Sequence, residues 1–198
     1  MIKRDFKRFC VIISGPTGTG KTTICKRLVN ENNEFFYSIS CTTRKKRENE
    51  IDGKDYYFIT KEEFEKMIKE DKFLEYAKIY NEYYGTPKEP VFESLKNGKI
   101  VIMDIDYQGK RGVAEKLKDS VSIYILPPSI EELKRRIEKR EKNFMERFKE
   151  ALREIDLWVF YDYVVINDDI EKAVNEINKI IEAEKLKRER ILIERIEK

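Results

Sequence analysis

Residues 15–23 read GPTGTGKTT, and their types and spacing suit the binding of phosphate groups. They match the P-loop pattern G-x-x-x-x-G-K-[ST], whose glycines let backbone N–H groups turn inward around phosphate oxygens. The start of a following helix adds positive potential, Lys21 reaches the terminal phosphates, and the Thr22 hydroxyl can ligate Mg²⁺. The run therefore predicts a site for a nucleoside triphosphate and Mg²⁺. The residues expected to form it are Gly15, Pro16, Thr17, Gly18, Thr19, Gly20, Lys21, Thr22 and Thr23.

A second run, TTRKKRENEIDGKDYYF at residues 42–58, places four cations before acids, a glycine and two tyrosines. Charge runs of this kind are commonly solvated loops, and that interpretation stays open for each residue taken singly. The P-loop itself does not indicate the acceptor of the phosphoryl group. A GTPase or motor ATPase positions a water molecule, whereas a kinase needs a second pocket and a cover that excludes water. The charged run is the first candidate for such a pocket.

Composition limits the classes of function that this chain can have. It has 198 residues, which suits one domain (1–198), and its 41 Lys and Arg against 38 Asp and Glu do not indicate nucleic-acid binding. The apolar run FCVII is too short for a membrane span, so we expect a cytoplasmic protein without a membrane partner. There is no histidine, which removes the usual general base. Three cysteines without C-x-x-C spacing predict free thiols.

The elements that must position these residues follow an alternating pattern. Short apolar runs at 9–14, 99–104, 121–126 and 163–167 are each followed by helix-forming sequence, the first by a helix predicted over 21–30. Such alternation favours an α/β fold, with a parallel sheet flanked by helices. The strand before the P-loop also disfavours the alternative that the loop is a chance glycine turn.

Closely spaced aromatics at 55–59 and 73–84 are typical of short antiparallel strands, and they predict an inserted mixed α/β subdomain over about 38–95. The core would then be about 1–37 and 96–198. Capping-box patterns predict helix starts at Thr60, Thr86 and Ser129.

The tail from Asp169 carries an apolar stripe at helical spacing, which predicts a helix that docks on the sheet. After this stripe the pattern weakens into EKLKRERILIERIEK, for which we expect a frayed or partner-binding helical end.

Several segments together resemble guanylate kinases, the P-loop nucleoside monophosphate kinases that transfer the γ-phosphoryl group of ATP to GMP. These segments occur in the family's order and cover nearly the whole chain: GPTGTGKTT, SISCTTRKKRENEIDGKDYYF, FLEYAKIYNEYYGT, VIMDIDYQG, ILPPSIEELKRRIEKR and VINDD. The resemblance implies a P-loop NTPase-type core, a GMP-binding insertion, ATP and Mg²⁺ as co-substrate and cofactor, and GMP or dGMP as acceptor.

The resemblance also implies a set of GMP-binding residues, with Arg44, Arg47 and Tyr56 on the monophosphate. Guanidinium forks hold a phosphate bidentately, and a carboxylate such as Glu75 can accept the N1–H and N2–H₂ donors of guanine. A hydroxyl from Ser40 or Thr86 would donate to O6. The full set is Ser40, Arg44, Arg47, Glu50, Tyr56, Glu75, Tyr84, Thr86 and Asp104, with Asp104 also holding Mg²⁺ through water.

A short lid over about 136–150 is implied in the same way, and Asn167 matches the adenine-side position. The acceptor is a phosphate that is largely dianionic at neutral pH, so cations rather than a base would be the catalytic groups. The lid segment EKNFME is shorter than in the family, and a basic solvated helix remains the alternative for its arginines. The catalytic residues expected are Lys21, Arg44, Arg136, Arg140 and Arg147.

Two other functions compete with this interpretation. A non-catalytic guanylate-kinase-like scaffold module would bind a phosphorylated peptide, but such modules characteristically lose the P-loop. A kinase of adenylate or of a phosphorylated sugar is disfavoured by the run TTR-x-x-R-x-x-E and by Glu75. The oligomeric state is expected to be a monomer or a homodimer.

Overall fold

The computed structural model describes residues 2–79, 81–139 and 143–195. Its strands are β1 (Ile2–Phe6), β2 (Cys10–Ser14), β3 (Phe35–Ser38), β4 (Cys41–Thr42), β5 (Tyr57–Phe58), β6 (Phe73–Ile79), β7 (Glu82–Pro87), β8 (Ile100–Asp104), β9 (Ser120–Leu126), β10 (Tyr163–Ile166) and β11 (Ile191–Arg195). Its α-helices are α1 (Lys21–Glu31), α2 (Lys61–Lys69), α3 (Lys88–Lys96), α4 (Tyr107–Lys116), α5 (Ile130–Glu138), α6 (Phe144–Glu154) and α7 (Ile170–Lys185). A 3-10 helix spans Ile155–Phe160.

The core is a five-stranded parallel sheet with the order β10-β9-β2-β8-β3. Every residue of β2 is buried, as the apolar run predicts for a strand covered on both faces. Helices α1 and α7 contribute to the apolar cluster on one face, and α3 and α4 contribute to the cluster on the other. The predicted parallel sheet flanked by helices is therefore confirmed.

A second, four-stranded sheet with the order β5-β4-β7-β6 lies within the predicted insertion. Its strands are antiparallel except for the β4–β5 pair. Phe64 of α2 stacks on Phe73 and Tyr83, with ring centroids 4.3 and 5.1 Å apart, and so holds this helix to the small sheet. Helix α3, also inside the expected boundaries, instead packs on β8 and β3 of the core, with Val91 buried.

Two of the three predicted helix starts are observed. Thr60 forms a reciprocal capping box with Glu63, and the Ser129 side chain accepts a hydrogen bond from the Glu132 backbone N–H. The prediction at Thr86 is wrong, because this residue lies in β7 and α3 begins at Lys88. Thr86 is fully buried and its hydroxyl donates to a carboxylate in β6, so it is unavailable as a cap.

The end of the chain differs from the predicted helical tail. Helix α7 is present and buries its stripe at Val174, Ile177 and Ile181, but the residues after it form β11, which pairs antiparallel with β1. Buried Arg190 anchors this turn by bonding Asp119 and the carboxylate of buried Glu184. Among the described residues, no helix has the length and apolar character needed to cross a membrane.

Candidate active site

The P-loop joins β2 to α1, so its glycines lie at the carboxyl end of the central strand. Gly15 has φ 149°, and a Cβ there would lie 2.3 Å from the carbonyl oxygen of Ile125. Gly20, with φ 91°, precedes the first residue of α1. The Lys21 ammonium donates to the carbonyl oxygens of Gly15 (2.6 Å) and Pro16 (3.0 Å), and so lies across the loop. The predicted strand, loop and helix context of the motif is confirmed.

Asp104 lies beside the P-loop because β8 runs parallel to β2 and pairs Asp104 with Ile13. Its carboxylate accepts a hydrogen bond of 2.6 Å from the Thr22 hydroxyl. One carboxylate and one hydroxyl are oxygen ligands of the kind that Mg²⁺ accepts together with phosphate oxygens and water. The described residues contain no cluster of three or more acidic, histidine or cysteine side chains that could hold a metal by itself.

Two cavities of about 350 and 230 Å³ open beside the P-loop, here called the large cavity and the loop cavity. The large cavity reaches Ser40, Glu75 and Tyr84 of the insertion, whereas the loop cavity reaches Thr22 and Arg47. Four residues line both: Thr17, Lys21, Tyr56 and Asp104. Two bound molecules would therefore meet at the Lys21 ammonium.

Glu75 is the buried carboxylate of the large cavity, with 7% of its surface exposed. Burial raises its pKa to about 7, the nearby Asp106 adds to the rise, and the hydrogen bond from Thr86 opposes it. The Thr86 hydroxyl donates to Oε1 over 2.5 Å. Thr86 thus orients Glu75, whereas Ser40 is the predicted hydroxyl residue that lines the cavity.

Arg44 and Glu50 form a pair with two hydrogen bonds, of 2.9 and 2.7 Å. Burial opposes ionisation of Glu50, but these bonds and one of 2.8 Å from the Arg47 backbone N–H keep its pKa below the ordinary value. The Arg44 guanidinium lies 5.4 Å from the centre of the Tyr56 ring, and Arg44 is not among the residues that line either cavity. The pair therefore lies beside the Tyr56 ring and outside the walls of both cavities.

Tyr56 lies beside this ion pair and lines both cavities. Burial raises the pKa of its hydroxyl far above neutral pH, and the negative charge of Asp104 adds to the rise. Because the phenol stays protonated, it can donate a hydrogen bond to an anion in either cavity.

Helix α6, which overlaps the predicted lid, contributes one predicted cation and two residues that sequence reasoning missed. Arg147 lines the large cavity together with Glu150 and Glu154, and it donates to Glu150 over 3.1 Å. The three residues lie on one face of α6 at spacings of three and four, so helical periodicity counted from Arg147 could have found the two acids. Arg140 lies outside the described residues.

A third cavity of about 280 Å³, here called the Asn167 cavity, also adjoins the P-loop and is lined by Gly20, Arg136 and Asn167. The Asn167 amide donates to the Thr19 carbonyl oxygen over 2.7 Å. Arg136 donates to Glu132 (2.7 Å) and to the Asn167 carbonyl oxygen (3.1 Å). The structure therefore brings Arg136 to Asn167 and not to the walls of the other two cavities.

Comparison with known proteins gives one consistent family. A family model described as guanylate kinase matches residues 7–184. The guanylate kinase of Clostridium tetani is 54% identical to this chain, covering 93% of it and 90% of the relative. That of Caldanaerobacter subterraneus subsp. tengcongensis is 50% identical, covering 91% and 89%. The crystal structure of guanylate kinase from Anaplasma phagocytophilum superposes with a TM-score of 0.80 at 34% identity, covering 97% of this chain and 93% of that one.

Proposed function

The chain belongs to the guanylate kinase family, and from that premise we propose how its residues divide the work of the reaction. The protein phosphorylates GMP to GDP with ATP as donor. The P-loop and the loop cavity bind the triphosphate, the large cavity binds GMP, and the residues common to both cavities contact the phosphoryl group in transfer. The observation that carries this division is the shared wall formed by Lys21, Tyr56 and Asp104.

In this reaction an oxygen of the GMP phosphate attacks the γ-phosphorus, and the bond from that phosphorus to the oxygen bridging to the β-phosphate breaks. The electron pair of that bond leaves on ADP. Because the attacking oxygen is already ionised at neutral pH, no protein group has to remove a proton. The barrier is then mainly repulsion between anions, which positive charge and in-line positioning reduce. Lys21 lies where it can neutralise charge on both nucleotides.

The acceptor end of the large cavity suits guanine. Glu75, ionised when GMP binds, accepts the N1–H and N2–H₂ donors, and Ser40 donates to O6. Adenine presents neither donor in that arrangement and would leave a buried carboxylate unpaired. We therefore expect a preference for GMP over AMP of about 10⁴-fold. Tyr84 lines the same cavity, and we propose that it contacts GMP. Arg47 lines the loop cavity, and we propose that it reaches the GMP phosphate where the two cavities meet.

The phosphate of GMP would lie against Tyr56, with Arg44 and Glu50 behind it. In this arrangement Arg44 orients Tyr56 and adds positive potential. Direct contact between Arg44 and the GMP phosphate would require Arg44 to release Glu50. Arg147 supplies a cation from the lid side of the large cavity. Arg136 and Asn167 are proposed for the adenine side of ATP, and the role of Arg140 stays a prediction from family resemblance.

Thr22 and Asp104 are the residues that would hold Mg²⁺, Asp104 through water. When bound, Mg²⁺ neutralises charge on the β- and γ-phosphates of ATP. The 2.6 Å hydrogen bond between the two side chains supports the fit, because it brings two oxygen ligands together beside Lys21. A cytoplasmic location, dGMP as a second acceptor and a monomeric or homodimeric state remain predictions.

A coupled ADP-release assay tests the proposed acceptor. Turnover is measured with GMP, dGMP, AMP, CMP and UMP at fixed ATP and Mg²⁺, and release of ADP that depends on GMP is expected. Absence of turnover with GMP, or faster turnover with AMP, would contradict the proposal. Binding of GMP without turnover would point to a scaffold module instead.

A further inference from the structure

Helix α4 contacts strand β6 closely at the position of Glu75. Gly109 and Gly112, three residues apart on one face of the helix, lie against this side chain. A Cβ at Gly112 would lie 2.8 Å from the Cβ of Glu75 and 3.7 Å from its Cα. A Cβ at Gly109 would lie 3.0 Å from Oε2 and 3.2 Å from Cδ of the same residue. One glycine therefore faces the stem of Glu75, and the other faces its carboxylate.

Backbone conformation does not explain these glycines. Neither Gly109 nor Gly112 is among the glycines with positive φ. Gly112 lies in the interior of α4, where glycine is less favourable than alanine, and Gly109 lies in the first turn of the helix. This loss of helix stability is compensated by the close packing of α4 on β6. An alanine Cβ at Gly112 would prevent that packing unless the stem of Glu75 moves.

The opposite side of Glu75 is also fixed. The Thr86 hydroxyl holds Oε1, and Thr86 is itself fully buried in β7, the neighbour of β6. The carboxylate is therefore held between a hydrogen bond on one oxygen and the glycine face of α4 at the other. Recognition of two guanine donors by one carboxylate depends on its direction, and a displacement of a few tenths of an ångström weakens the bonds.

We propose that Gly112, assisted by Gly109, is a specificity-determining positioning residue, which sets the place of Glu75 against the purine 2-amino and N1 positions. This inference rests on the proposed function, because it assigns Glu75 to the guanine base. Gly112 touches no substrate and acts through Glu75.

The test compares GMP with inosine monophosphate, which keeps N1–H but lacks the 2-amino group. In the Gly112→Ala variant, KM for GMP should rise about tenfold, since a hydrogen bond to a charged group is weakened, while kcat and KM for ATP change little. The ratio of kcat/KM for GMP to that for inosine monophosphate should fall, because the bond to the 2-amino group is the one that the two substrates do not share.

Gly98→Ala is the matched control. Gly98 has φ 80°, so alanine is strained there, and its Cβ would approach only the Arg8 side chain, at 3.8 Å. We expect a lower melting temperature without a change in the GMP to inosine monophosphate ratio. A second control is Gly112→Ala in a Glu75→Gln background, where it should leave the ratio unchanged if Gly112 acts through Glu75.

An unchanged ratio in folded Gly112→Ala would overturn the proposal, and so would an equal shift in Gly98→Ala. If Gly112→Ala does not fold, Gly109→Ala is measured in its place with the same expected ratio. Unfolding of both variants would also contradict the proposal, which requires that the Glu75 side chain shifts while the rest of the fold stays intact. Failure of the proposed function is distinct, because the wild-type protein would then show no preference for GMP.

Discussion

The P-loop and the proposed GMP pocket are built in different ways. The loop comes from nine consecutive residues. Hydrogen bonds from Lys21 to Gly15 and Pro16 and from Thr19 to Pro16 lie within it, and those from Thr22 to Asp104 and from Asn167 to Thr19 join it to the rest of the core. The pocket draws on residues from Ser40 to Asp104, and its polar side chains are held in pairs from separate positions, Arg44 with Glu50 and Glu75 with Thr86.

This difference predicts which kinetic or binding property each region controls. In the proposed division, backbone groups of the loop hold the phosphates, and Lys21 adds the positive charge needed in the transition state. In the pocket, Arg44 is paired with Glu50 and Glu75 with Thr86, so removal of one member breaks a hydrogen bond that is at least partly buried. Substitutions in the loop should therefore affect kcat, whereas those in the pocket should affect GMP affinity and base selection.

The largest effect is expected from Lys21→Ala. Loss of the cation between the two nucleotides should lower kcat by about 10³-fold or more, as for other cations at a transferring phosphoryl group. The coupled ADP-release assay measures it, and Lys66→Ala, which removes an exposed lysine of α2, is the control. A decrease below tenfold would mean that Lys21 does not contact the transferred group.

Glu75→Gln should have the next largest effect and act only on the acceptor. The amide offers a donor where guanine also offers donors, so kcat/KM for GMP should fall by about 10²-fold while KM for ATP stays near the wild-type value. An equal change in KM for ATP would contradict the separation of the two regions.

The same variant should change how stability depends on pH. The pKa of Glu75 is about 7 in the folded protein against 4.5 in the unfolded chain. Folded protein thus binds more protons between these values, and ionisation of Glu75 lowers the free energy of unfolding as the pH rises from 4.5 to above 7. The melting temperature of Glu75→Gln relative to wild type should therefore be higher at pH 8 than at pH 5.

A smaller effect is expected for the pH dependence of GMP binding. In the proposed site GMP binds ionised Glu75, so its affinity should decrease on acidification through pH 7, by up to about tenfold per pH unit. Titration of the GMP phosphate near pH ~6 adds a separate decrease at lower pH. Calorimetry from pH 8 to 6 should show the step near pH 7 in the wild type and not in Glu75→Gln. A step that persists in the variant would assign it to another group.

The smallest effect is expected for Asn167→Ala. This change removes one hydrogen bond to the Thr19 carbonyl oxygen of the P-loop, so KM for ATP should rise by about fivefold and KM for GMP should not change. Steady-state kinetics with each substrate varied in turn distinguishes these outcomes. A rise in KM for GMP instead would remove Asn167 from the donor side.

Sequence reasoning was most reliable where function depends on contiguous residues. The P-loop, the strand before it and the position of Asp104 at the end of β8 are as predicted, and the resemblance to guanylate kinases is confirmed by the family match. Local periodicity and motif spacing contain that information.

The errors occur where a partner outside the local motif decides the structure. Thr86 fits a capping box, but the buried carboxylate of Glu75 takes its hydroxyl. The segment after α7 becomes a strand because β1, almost the whole chain away, pairs with it. The hydrogen-bonded pairing of Arg44 with Glu50 and its packing beside the Tyr56 ring are further features that a charge pattern does not reveal.

The most direct test of the division between donor and acceptor is a crossed binding measurement. Lys21→Ala and Glu75→Gln are each titrated calorimetrically with GMP and with a non-hydrolysable ATP analogue. We predict that Lys21→Ala loses affinity for the analogue and keeps GMP affinity within about threefold of wild type, while Glu75→Gln shows the reverse. Equal loss of both ligands in either variant would contradict the assignment of the two cavities.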